Sequence, residues 1–108
     1  MIENSNLIKY TQLTTSVNGW IKLNDKVSIV YGSFPASSMV KDGNVGGYST
    51  EISLSSYNLN NYILSIAAPV YQSGIPMVTT YWNSSTKKLK LICNVNATNV
   101  YVHWLVVG

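Results

Sequence analysis

The sequence contains no arginine, and that absence narrows the range of partners before any motif is considered. Arginine supplies the planar fork that grips phosphate and reads guanine. The net charge of +3, carried by seven lysines against four acids, therefore does not point to nucleic acid. Only Lys87, Lys88 and Lys90 stand close together, a spacing suited to a solvated turn and to an edge that resists stray strand pairing. Cysteine occurs once, at Cys93, which excludes an internal disulfide and leaves the redox compartment open. No apolar run reaches the length of a membrane-spanning helix, so no membrane insertion is expected. The opening Met-Ile-Glu-Asn-Ser-Asn lacks the basic and apolar regions of a signal peptide, and the chain reads as soluble and made in a cytoplasm.

The same scarcity limits chemistry. Nucleophilic catalysis needs a nucleophile, a base and a group that orients the base, and the supply is Cys93, His103 and the acids Glu3, Asp25, Asp42 and Glu51. Cys93 and His103 fall on strands joined by a short turn and could meet if the register puts them on one face. Cys93, however, continues the apolar alternation of Leu89 and Leu91 and reads as a small buried hydrophobe. Asp42 and Glu51 have no partner at a spacing that suits paired-carboxylate hydrolysis. No phosphate loop is present, and no cluster of His, Cys or acids within one chain could close a metal site. The expectation is a non-enzymatic protein with no cofactor.

What the chain does have is neutral polarity and rings. Charged residues make up 10% of it and hydrophobic ones 46%, while fourteen Ser, twelve Asn and eight Thr form the polar remainder. These groups suit turns and strand surfaces, and they tolerate contact with other neutral polar matter, sugars included. At 108 residues the chain is one domain with a single core, marginal in the share of surface it can bury.

Residues 1–17 are polar with scattered Leu7, Ile8, Tyr10 and Leu13, and are expected to connect from a preceding module. From Trp20 the period is two. Ile21 and Leu23 alternate with Trp20 and Lys22, then Val27, Ile29 and Tyr31 alternate with Lys26, Ser28 and Val30, with a tight turn at Asn24-Asp25. Gly32 to Gly47 shows no period and reads as a long loop. Alternation returns in Tyr48–Leu54, Tyr62–Tyr71, Pro76–Trp82 and Lys88–Val95, separated by turns rich in Asn, Ser and Gly. Pro69 requires an edge position or a bulge, because proline cannot donate to a ladder. The spacing implies an all-β fold over residues 18–108, an antiparallel β-sandwich of about six to seven strands.

The closing segment organises this reading. As a strand, 99–108 puts Val100, Val102, Trp104 and Val106 on one side and Tyr101, His103, Leu105 and Val107 on the other. A surface strand would alternate apolar with polar, so both sides are expected to be covered, one by a second sheet and the other by a neighbouring subunit. Trp20, Tyr101, His103 and Leu105 are the expected subunit contacts, and three His103 rings could face one another about a threefold axis. A strand that ends the chain without a polar tail suits a domain at the distal end of an assembly.

Asn18-Gly19-Trp20-Ile21-Lys22-Leu23, then Tyr31-Gly32, then Trp104-Leu105-Val106-Val107-Gly108 together resemble the carboxy-terminal domains of bacteriophage tail fibres. Asn24-Asp25-Lys26 stands where those domains usually carry a proline-containing turn, and Gly108 is not followed by their trailing aromatic. The resemblance implies a small antiparallel sandwich related to the H-type lectins, assembled as a homotrimer at the tip of a virion tail fibre and used to recognise host-surface glycans. A structural trimerisation or capping module, and a free soluble lectin, are the alternatives.

Eight Tyr and three Trp could serve such recognition. Aromatic faces stack on sugar rings while amides bond to hydroxyls. Tyr48, Tyr57, Tyr71 and Trp82, with Asn58, Asn60 and Asn83 beside them in sequence, are the candidate ligand residues.

Overall fold

The computed structural model describes residues 17–70 and 76–108. Among these, eight strands run as β1 (Val17–Lys22), β2 (Ser28–Pro35), β3 (Val40–Asp42), β4 (Gly47–Ser53), β5 (Leu64–Val70), β6 (Val78–Asn83), β7 (Lys88–Cys93) and β8 (Tyr101–Val107). They form two four-stranded sheets, sheet A in the order β1-β2-β8-β5 and sheet B in the order β3-β4-β7-β6. Every pairing is antiparallel. The only helix among the described residues is two single turns of 3-10 type, Ala36–Ser38 and Ser55–Tyr57. The architecture is all-β and compatible with a β-sandwich.

The core lies between the sheets. Val17, Val30, Val102, Trp104 and Val106 come to it from sheet A, and Ile52, Leu89, Leu91 and Cys93 from sheet B. The connections add Ala36, Met39, Leu54, Tyr57, Leu59 and Val100. Burial alternates residue by residue along β8 and β7, as the sequence period requires. The turn between β1 and β2 is held by Asn24, whose Oδ1 accepts the backbone N–H groups of Lys26 (2.7 Å) and Val27 (2.9 Å). Gly108 closes the chain onto β2 by exchanging two backbone hydrogen bonds with Ser28, at 2.9 and 3.0 Å.

Three expectations are revised. The long loop from Gly32 to Gly47 contains the end of β2, a 3-10 turn and β3, which pairs with β4 through Val40↔Ser49 and Asp42↔Gly47. A three-residue strand is too short to show a period, and its hydrogen bonds come from its neighbour. Strands among the described residues number eight rather than six to seven. Val17, expected in the connector, is the first residue of β1 and is 2% exposed; residues 1–16 of that connector lie outside the described residues. Pro69 meets its constraint, since β5 is an edge strand of sheet A.

Candidate functional site

The two sheets differ in what they turn outward. In an antiparallel ladder, residues directly opposite one another share a face, so the register fixes both outer surfaces. On sheet B the outward rows carry Asp42, Ser49, Glu51, Lys88 and Lys90 among Thr79, Tyr81 and Ile92. Lys90 Nζ lies 3.0 Å from Asp42 Oδ2, Ser49 Oγ donates to the same oxygen at 2.8 Å, and the Asn44 N–H donates to Asp42 Oδ1 at 3.0 Å. These three partners, the Lys90 ammonium foremost, hold the Asp42 carboxyl below its ordinary value. Lys88 and Glu51 stand 4.0 Å apart and half-exposed, a separation that contributes little.

Sheet A turns a different surface outward. Leu105 pairs with Tyr31 on one side and Ile66 on the other, and Val107 pairs with Ile29 and Leu64. Tyr101 pairs with Pro35 and Val70, while His103 pairs with Ser33 and Ala68. Beyond β2, Ile21 pairs with Ile29 and Gly19 with Tyr31. This face carries no Lys, Asp or Glu, and its polar row is Ser33 and His103. Ile66 and Val70 are each 55% exposed and Tyr101 47%. A shallow groove of about 380 Å³ runs along it between Tyr31, Ile66, Ala68, His103 and Leu105.

A second feature forms at one end of the molecule, where the segment after β4 meets the turn between β6 and β7. Lys87 clamps the two together. Its backbone carbonyl accepts the Leu54 N–H at 2.8 Å, and its Nζ donates to the Leu59 carbonyl at 3.2 Å. Trp82 stacks on Tyr62 with ring centroids 5.5 Å apart and planes 6° from parallel. Asn58, in the left-handed conformation at φ 57°, and Asn60 are exposed on the same segment.

The sequence-derived candidates divide accordingly. Tyr101, His103 and Leu105 do come together, on the outer face of sheet A. Trp20 does not join them. It pairs with fully buried Val30, faces inward and packs edge-on against Tyr57 at 5.2 Å, so the core takes its ring. Tyr57 is 3% exposed, which leaves its ring no free face for a sugar, and Tyr48 packs inward opposite Cys93, partly buried. Period two does not say which face of the strand carrying Tyr48 is the inner one, and the polar turn around Tyr57 gives no sign that its ring folds into the core. Tyr71 lies outside the described residues. Trp82 is partly buried with one face under Tyr62, and its buried indole N–H has no hydrogen-bond partner among the described residues. The side-chain oxygen of Asn83 is taken by the Ser85 and Thr86 N–H groups at 3.0 and 3.2 Å, closing the β6–β7 turn. Cys93 points into the core from sheet B while His103 points outward from sheet A, so the two do not form a dyad.

Sequence reasoning missed Tyr62, Tyr31 and Ile66. The signal for Ile66 was present in the apolar row Leu64, Ile66, Ala68 and Val70, which resembles a core face until β5 is placed at the sheet edge. No protein-family model, curated protein or solved structure matches the chain. The likeness to tail-fibre domains therefore rests on the short motifs quoted above.

Proposed function

We propose that this chain is a non-enzymatic recognition domain at the end of a fibre-type particle, assembled in three copies and binding neutral host-surface polysaccharide or glycan. The observation that carries the reading is the end formed by Tyr62 and Trp82. A half-exposed ring backed by a second ring is a rigid stacking platform, and exposed Asn58 and Asn60 precede Tyr62 on the same segment with amides able to bond hydroxyls. The nearby cation Lys87 is turned to the Leu59 carbonyl, so the platform suits uncharged polar ligands better than anionic ones. One such contact is weak, and repetition over several copies supplies avidity. A glycan array probed with the whole chain tests this. Binding that Tyr62→Ala lowers about tenfold or more, with an unchanged melting temperature, supports recognition; binding indifferent to Tyr62→Ala and to Asn60→Ala contradicts it.

The second reading, a structural trimerisation or capping module with recognition elsewhere, is favoured by the apolar outer face of sheet A. No glycan binding by a chain that still associates with itself would select it. A free soluble lectin is separated from both by whether the chain copurifies with a particle.

A further inference from the structure

We infer that Ser65 and Thr80 set the direction of the Tyr62 hydroxyl and with it the chemistry of the ligand: an uncharged sugar ring with a free hydroxyl that donates to the Tyr62 oxygen. The inference rests on the recognition reading and goes beyond it by naming the group the ligand must keep.

The ring lies where the two sheets meet along one side. β5 and β6 are edge strands, one from each sheet. Ser65 stands opposite fully buried Val106 and Thr80 opposite fully buried Leu91, so both side chains point into the gap between the sheets. Their hydroxyl oxygens are 2.7 Å apart, and the Tyr62 hydroxyl reaches Ser65 Oγ at 2.9 Å. Thr80 Oγ1 also donates to the Ser65 carbonyl at 3.4 Å. With Trp82 stacked against its ring and the next N–H, that of Ile63, held by the Val107 carbonyl at 2.8 Å, Tyr62 is fixed at ring, hydroxyl and adjoining backbone. A ring fixed in advance spares binding the entropy of ordering it.

Three hydroxyls carry three protons, and only one order of donation satisfies all three contacts. A carbonyl accepts and never donates, so the Thr80 proton goes to the Ser65 carbonyl. Ser65 then donates to Thr80, and Tyr62 donates to Ser65. The opposite order makes two of the contacts and leaves the carbonyl without the third. The Tyr62 proton is therefore used within the protein, while its residue is 41% exposed and its oxygen keeps an acceptor site for the ligand. A sugar hydroxyl at the rim of the stacked ring supplies the matching proton. An ether or ester oxygen in the same place has none to give, so a sugar O-methylated or O-acetylated there binds less well, a distinction that stacking alone would not make.

Two measurements on the full chain test this. Without ligand, the Raman doublet of Tyr62, isolated as wild type minus Tyr62→Phe, reads as a donating phenol. Thr80→Val removes the acceptor of the Ser65 proton, which then turns to Tyr62, and the doublet moves toward the accepting form; Thr80→Ser restores it. With ligand, an array is printed with neutral glycans and their singly O-methylated counterparts. Wild type loses about five- to tenfold in affinity when one particular hydroxyl is methylated, and Thr80→Val, whose Tyr62 proton points outward, loses that preference. An accepting phenol in the wild type, or a preference that Thr80→Val leaves intact, overturns the inference. Binding that depends on Tyr62 but ignores methylation at every position overturns it while leaving the recognition reading standing. Binding to no glycan overturns that reading and the ligand assignment with it.

Discussion

The ring of Tyr31 occupies the space that a β-carbon on Gly19 would need. Gly19 is therefore not a turn residue, although an Asn-Gly pair usually marks one. It lies within β1, just after an irregularity at which Asn18 is left over between Val17 and Gly19, and the Asn18 side chain accepts the Ser33 N–H at 3.1 Å. The consequence is a bulged edge and a glycine that lets the Tyr31 ring settle over β1, extending the apolar face toward Ile21.

Gly19→Ala should push the Tyr31 ring off β1 and roughen the face without disturbing the core. Self-association should weaken about tenfold, near 1.4 kcal/mol, while the melting temperature changes little. Gly43→Ala is the matched control, since a β-carbon there meets nothing within 4 Å. Sedimentation of the two variants side by side checks it, and equal effects would contradict the argument.

Gly47 presents the opposite case. A β-carbon at Gly47 would come within 2.6 Å of the Cys93 carbonyl oxygen, a backbone atom of the neighbouring strand that cannot rotate away. Gly47→Ala should cost about 1–3 kcal/mol of folding stability. Urea denaturation monitored by tryptophan fluorescence measures it.

Acid should unfold the chain partly through Asp42. Its carboxyl is held below the ordinary value of 3.8 by the Lys90 ammonium, then by the Ser49 hydroxyl and the Asn44 N–H. A carboxylate depressed in the folded state contributes stability that is complete above its unfolded value and is lost as pH falls through the folded one. Asp42→Asn should therefore be less stable than wild type near neutrality, with the difference closing below about pH 4. Melting curves across that range would reveal it, and a gap that stayed constant would refute the ion pair's role.

The core should respond to truncation as a packed interior. Leu91 is fully buried at the middle of β7, between Thr50 and Thr80. Leu91→Ala should cost about 2–5 kcal/mol, measurable as a lowered denaturation midpoint.

Much of this was legible in the chain, for identifiable reasons. Turns with Asn at the first position, the alternation of Leu89, Leu91 and Cys93, and the constraint on Pro69 all act locally, so they survive translation into sequence pattern. The two-sided apolar character of β8 was equally visible, and it led to the outer face of sheet A. What stayed hidden depended on neighbours: β3 exists because β4 offers it hydrogen bonds, and Trp20 and Tyr57 are core rings because the second sheet and its 3-10 turn close over them. Tyr62 was overlooked because its value as a platform comes from Trp82, twenty residues further on.

Sedimentation equilibrium of the wild-type chain over a range of micromolar concentrations tests the central claim most directly. Three copies give an assembly of about 36 kDa, three times the 11.9 kDa chain. A stable dimer would remove the threefold arrangement. A single 11.9 kDa species at every concentration would contradict the proposed three-copy assembly.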